Sequence, residues 1–384
     1  MPSTFNYSKP VSTKEFLGRK EDCRLLATFL NQGENVTIYE PPKTGVMSII
    51  NQTFTNMKNS GVQFTTVEYS ILSTRSVSQF CIRLGSAIIG KIASTPGEYS
   101  NAVANLLGES HFVFDEKQYE ATGDILSLSW SLDDQDIKAI LELPYKAAAW
   151  KGRRLIVLLQ EFQNIMQTED GEKVCNLLQG IFKSLSLEQR SQAQYLFTGS
   201  SHNAMHEIFG VKKYFYRQVE RLEVSQIETR EIIEYITRGF LTTGKVIDKD
   251  LLLGTCTLFR NNIWYINHFA SICDSLTRGY IMEPILNEAL DILISIHEPR
   301  FEKIMNDLTT FQVSLLKAIL CGHNKFTSTE VIEEYKLNSS ANVKRLKDAL
   351  SKKEIIYFKD DNHPIVLDPL FEYWASNFYF GLKI

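Results

Sequence analysis

Residues 153–162 read Arg-Arg-Leu-Ile-Val-Leu-Leu-Gln-Glu-Phe, with five aliphatic residues in unbroken succession. A strand with one wet face alternates apolar and polar residues. A continuous apolar run therefore belongs to a strand covered on both faces, the position of a central parallel strand. Residues 193–201 (Ala-Gln-Tyr-Leu-Phe-Thr-Gly-Ser-Ser) read as a second such strand with a small polar end. Residues 36–39 and 62–70, β-branched and aromatic in character, supply two more. Leu25, Leu26, Phe29 and Leu30 recur at helical spacing before the first of these strands. Residues 76–150 read as mostly helical, with a polar irregular part around 94–124. Strands alternating with helices predict an α/β domain built on a parallel sheet.

After about residue 222 the strand signals stop. Four amphipathic stretches follow, beginning near Glu228, Asp248, Ile263 and Pro284. The last 80 residues change again: helical segments around 309–320, 327–336 and 338–353 precede a hairpin about Asp360-Asp361-Asn362. Helix, helix, helix, hairpin is the order of a winged helix. A chain of 384 residues exceeds one ordinary core. The expected division is a polar N-terminal lead (1–14), an α/β domain (15–221), an all-α lid (222–304) and a winged helix (305–384). No apolar run is long enough to span a membrane. The N-terminus lacks a basic start followed by an apolar core, so no secretory signal is expected. Six well-separated cysteines, Cys23, Cys81, Cys175, Cys256, Cys273 and Cys321, read as buried reduced thiols of a cytoplasmic protein. A net charge of −4 excludes a generally basic nucleic-acid binder.

The segment Glu40-Pro-Pro-Lys-Thr-Gly-Val-Met-Ser48 lies between the first strand and a helix, where the phosphate-binding pattern G-x-x-x-x-G-K-[ST] would stand. Of that pattern only Gly45 is kept. Glu40 replaces the first glycine, Val46 the lysine and Met47 the hydroxyl that holds Mg²⁺. Ser48 comes one place late, turned by about 100° on a helix. The amides of Lys43, Thr44, Gly45 and Val46 could still cradle an anion, with Lys43 as a substitute cation. Glu40 would oppose this with a repulsion of roughly 1–4 kcal/mol at about 4 Å. The strand at 155–159 ends in Gln160-Glu161, where a metal-binding Asp followed by a catalytic Glu would stand. Glu161 remains as a candidate general base, but Gln160 is neutral. Loss of one preorganised charge partner costs about 3 kcal/mol of barrier, and each 1.36 kcal/mol is tenfold in rate.

In the winged helix, residues 339–353 carry Lys344, Arg345, Lys347, Lys352 and Lys353 against the single acid Asp348. Such a helix could dock on nucleic-acid phosphates. The segment 305–384 as a whole, however, holds ten basic and ten acidic residues, which equally suits a solvated face or a protein contact. His202 and His206 stand four apart, but no third metal ligand is evident, and no metal site is expected.

The motifs together resemble the archaeal-type ATPases of the STAND branch of AAA+-related P-loop proteins. "FLGRKED" is similar to that family's F-x-G-R-x-x-E entry motif, "EPPKTGVMS" to its phosphate loop, and "LLQEFQNI" to its h-h-D-E-F-Q strand end. "YLFTGSS" is similar to its sensor strand, and "VLDPLFEYW" to its D-P-x-F-x-x-W ending. The resemblance spans about residues 14–384 in order. It implies a P-loop α/β sheet followed by a helical lid and a winged helix. It implies that Arg19 touches the base, that Gly45 and Glu161 keep catalytic-site positions, that Thr198 and Ser200 are sensor residues, and that Arg217 is the family arginine. The Walker A lysine and hydroxyl, the Walker B aspartate and the lid proline (here Ile263) are all replaced. The expected function is a regulatory or scaffold protein with a degenerate nucleotide site and an unidentified protein partner. It would take no cofactor, or ATP or ADP weakly, without Mg²⁺. The alternatives are a weak ATPase switch and a DNA-binding regulator acting through Lys344, Arg345 and Lys347.

Overall fold

The computed structural model describes residues 4–358 and 363–382. The chain forms two compact units: Lys20–Glu40 with Ile49–Val224, and the described residues of Met1–Arg19, Pro41–Ser48 and Ser225–Ile384.

The first unit is built on five parallel strands, β1 (Asn35–Tyr39), β2 (Thr65–Ser70), β3 (Leu155–Gln160), β4 (Ala193–Gly199) and β5 (Val219–Arg221), in the order β2-β3-β4-β1-β5. All of β1 and β4, and β3 up to Leu159, are buried, as their unalternating sequences require. The register sets Tyr39 opposite Gly199 and Ser70 opposite Gln160. The carboxyl ends of β1, β3 and β4, each a central strand, are thus brought together at one edge of the sheet. Helices Val77–Ile92, Asp134–Lys151 and Gly171–Ser184 bury their apolar faces in the same core. Phe162, Phe197, Phe209 and Phe215 pack ring against ring beneath the strand ends, the Phe162–Phe197 centroids 4.7 Å apart. Tyr195 anchors its buried hydroxyl on the Leu141 carbonyl at 2.8 Å.

The stretch 94–124, expected to be irregular, contains helices Pro96–Leu107 and Glu116–Thr122. Thr95 and Asp115 cap them through their side chains, and Pro96 occupies the first helical position, where a missing N–H costs nothing. A polar composition concealed these local start signals.

The second unit holds lid helices Thr229–Thr242, Lys249–Leu258, Ile263–Leu276 and Glu283–Asn306. Two short strands, Val246–Ile247 and Tyr280–Ile281, pair in parallel between them, a feature the sequence did not announce. Thr310–Leu320, Thr329–Glu334 and Ser340–Lys352 precede the antiparallel pair Ile356–Phe358 and Pro364–Val366. This is the winged-helix order. The hairpin tip at Asp360-Asp361-Asn362 lies outside the described residues.

Apolar residues of the lid and the winged helix share one core, and Phe5 belongs to it. The N-terminal segment is therefore more than a polar lead. Phe5 is 1% exposed, packs in a tilted arrangement on Phe240 with ring centroids 4.7 Å apart and fills the space beside Gly239. Asp368, of the D-P-x-F-x-x-W stretch, caps helix Pro369–Trp374 and accepts hydrogen bonds from the Tyr265 hydroxyl and the Arg300 guanidinium. Trp374 donates its indole N–H to Glu298 at 3.1 Å. Five of the six cysteines are buried as expected; Cys321, at the end of a helix, is exposed. Among the described residues no helix is long and apolar enough to cross a membrane.

Candidate functional site

In the sheet unit, the first candidate residue past β3 is Glu161. It adopts a left-handed backbone, φ 57°, which turns the chain out of the strand. Its carboxylate accepts the Ser200 hydroxyl at 2.6 Å and the Gln163 side-chain amide at 2.7 Å. Gly199 is what permits this arrangement, since a Cβ there would lie 2.4 Å from the Gln163 amide oxygen. The small residues at the end of the sensor strand are explained by this close approach. Ser200 is thus joined to Glu161, whereas Thr198 is buried within β4 opposite Ile38.

Glu40, past the end of β1, points its carboxylate toward the Val224 amide (3.4 Å) and the His202 ring (4.0 Å). Burial first, then Arg221 and His206, pushes His202 down to about 4, so near neutrality this contact is not an ion pair. Arg217 does not enter this region: it is exposed in a turn with φ 62°, its guanidinium 5.2 Å from the ring of adjacent Tyr216. The inward arginine is Arg221, whose guanidinium lies 4.2 Å over the Tyr39 ring. Sequence reading passed over Arg221. Its position on β5, in register with Thr37 on buried β1, is the signal that could have found it.

The phosphate loop belongs to the other unit, and its side chains are engaged there. Gly45 has φ +91°, a conformation that an L side chain rarely adopts, and its α-carbon is packed by Arg19: a Cβ would meet the guanidinium at 3.0 Å. Arg19 donates to the Thr44 carbonyl and, at 2.9 Å, to the Ser225 carbonyl. Arg19, the residue expected to touch a base, braces the loop through these two carbonyls. The Thr44 hydroxyl turns back to the Pro41 carbonyl at 2.9 Å. Val46 and Met47, half-buried, open helix Val46–Asn59. The Ser48 hydroxyl accepts the Val11 amide at 3.0 Å.

Lys43, the candidate substitute cation, is half-buried at the loop tip with φ 71°. Its ammonium lies 3.8 Å above the Trp264 ring and 5.0 Å from that of Tyr265. Asn262 caps the helix bearing both rings by accepting the Trp264 and Tyr265 amides. Tyr7 stacks on His268 at 4.1 Å and meets Trp264 edge-on at 5.8 Å. Desolvation, followed by repulsion from Arg300 and against attraction to Asp368, pushes Lys43 down to about 8. The ring faces act the other way, a cation–π contact out of water being worth about 2 kcal/mol. Burial and the charges of Lys43 and Arg300 likewise push His297 down to about 4.

The donor set does not suit a magnesium-bound triphosphate. Val46, Met47 and Gln160 provide neither ammonium, hydroxyl nor carboxylate at the positions expected to grip one, and the late hydroxyl of Ser48 accepts a backbone amide.

In the winged helix, Lys344 and Arg345 are exposed on helix Ser340–Lys352. Lys347 is half-buried, its ammonium 5.2 Å from the Phe326 ring and 4.8 Å from that of Phe358.

A family model described as a probable winged helix domain matches residues 299–377. No curated protein matches the sequence. Among solved structures, the chain is similar to the Walker-type ATPase PABY2304 of Pyrococcus abyssi, at 14% identity over 99% of this chain and 100% of that one, with a TM-score of 0.66. It is also similar to the ORC2 protein of Aeropyrum pernix, solved as ADPNP–ADP complexes, at 13% identity over 99% and 98%, with a TM-score of 0.55. The chain shares the fold of these two structures: a parallel α/β sheet core, a helical region and a C-terminal winged helix. At these identities the likeness speaks to the fold alone.

Proposed function

We propose that this AAA+-fold protein is a catalytically degenerate member of its architecture, acting as a regulatory or scaffold component through its lid and winged helix. The observation that carries this reading is the commitment of the loop's polar side chains to the protein itself. Lys43 lies on Trp264, Arg19 on the Thr44 and Ser225 carbonyls, and Ser48 on the Val11 amide. Phosphoryl transfer depends on charge placed in advance around the phosphates and metal, and these side chains supply it elsewhere. Glu161 and Ser200 keep the form of a base and sensor pair without a metal ligand at Gln160. Calorimetry with ATP, ADP and GTP, with and without Mg²⁺, is expected to give no heat up to millimolar nucleotide. A micromolar, metal-enhanced signal would support a nucleotide switch instead, as would phosphate release abolished by Glu161→Gln.

A second reading, DNA contact, rests on Lys344 and Arg345, both exposed on a helix within the matched winged-helix region. Duplex retention that weakens steeply with salt and is lost in Lys344→Glu/Arg345→Glu would favour it. Retention unchanged by that double variant would remove it.

A further inference from the structure

We infer that the lid carries a cage for a primary ammonium, formed by Trp264 and Tyr265, and that its occupant, the loop's own Lys43, latches the phosphate loop shut. This rests on the reading above insofar as it concerns regulation of the same degenerate loop.

The cage is assembled by contacts that do not involve Lys43. Asn262 fixes the start of the helix, Tyr7 backs Trp264 and His268, and the Tyr265 hydroxyl is held by Asp368 at 2.9 Å. Asn261 adds a brace from the preceding turn, donating to the Ile227 carbonyl and the Thr229 hydroxyl. A rigid aromatic face of this kind recognises a cation by its quadrupole. On the loop side, the left-handed tip presents Lys43, while Arg19 and Ser48 secure the two flanks.

The contact is also poised to open. No hydrogen-bond acceptor among the described residues meets the three N–H groups of Lys43, so the ring faces hold it and withdrawal breaks no hydrogen bond. Nearby, His268 Nδ1 and His297 Nε2 are enclosed without partners, and Arg300 repels the ammonium. Polar groups left in this state weigh against the closed arrangement. An anion seeking the loop amides would gain a cation only after Lys43 leaves the rings.

Trypsin reads this directly, because it cleaves after Lys43 only when that side chain is free to enter the protease. Cleavage after Lys43 is compared with cleavage after exposed Lys303 in the same full-length chain, so that general loosening cancels. Trp264→Leu, which keeps apolar bulk but no ring face, is expected to raise the ratio at least tenfold. Trp264→Phe, which keeps a ring, is expected to stay within about threefold of the unmodified protein. A ratio unchanged in Trp264→Leu overturns the latch. Micromolar ATP binding by the unmodified protein would overturn the inactive reading and leave the latch standing, so the two fail separately.

Discussion

The end of the sheet and the phosphate loop hold their functional groups by different means. Glu161 and Ser200 follow directly from buried strands, so the backbone ladder places them, and the pair needs only Gly199 and Gln163 to close. The loop has no such ladder. It is positioned by single side chains that reach distant parts of the sequence: Arg19 to Ser225, Ser48 to Val11 and Lys43 to Trp264. Geometry carried by a ladder is insensitive to single side chains elsewhere, as in the carboxylate–hydroxyl pair. Geometry carried by individual side chains can be redirected by a few substitutions, and here it points inward.

If that contrast holds, deletions of single side chains should cost the lid and winged-helix unit more than the sheet unit. Phe5→Ala removes a fully buried ring from the shared core, and urea unfolding should show a loss of about 3–5 kcal/mol. A loss below about 1 kcal/mol would return the N-terminus to the status of a loose lead. Asp368→Ala removes a helix cap and leaves Arg300 without its acid. Because both side chains are partly exposed, the expected cost is about 2 kcal/mol. Tyr195→Phe, in the sheet unit, deletes one buried hydroxyl whose partner carbonyl keeps other options, and should cost about 1 kcal/mol. A cost for Tyr195→Phe equal to that of Phe5→Ala would break the comparison.

The smallest effects are in pH dependence. Lys43 is held near 8 in the folded chain, below its ordinary 10.5. Between those values the unfolded chain binds a proton that the folded one has released, so stability should rise with pH across about 8–10.5. That rise should be absent in Lys43→Met. His202 and His297, both pushed to about 4, behave in the same sense in a more acidic window, where stability rises with pH across about 4–6.5. Their contribution is complete above 6.5 and is lost as pH falls from 6.5 toward 4, where the unfolded chain takes up protons first. Denaturant midpoints measured across both windows check the shared sign.

Much of the fold was legible because helices and strands are specified by near neighbours. The apolar run at 155–159, the helical periodicities after 222 and the winged-helix order each depend on spacing along the chain. The caps at Thr95 and Asp115 were equally local, but were masked by a polar neighbourhood. Of the candidate site, the joining of Glu161 and Ser200 was foreseeable from the two strand ends, while Arg217 was not distinguished from Arg221. The commitments of Lys43, Arg19 and Ser48 were not legible, since each partner lies far away in the sequence and no spacing rule connects them.

The sequence by itself determined the order of elements, the parallel sheet and the replacement of the grip residues at Val46, Met47 and Gln160. Those depend on which residue follows which, and backbone hydrogen bonding converts such patterns into structure. Only the tertiary structure decided that Phe5 is core, that Arg19 braces the loop and that Lys43 faces Trp264. Packing chooses among many partners of similar chemistry, and the choice is made by which surfaces the folded chain brings together.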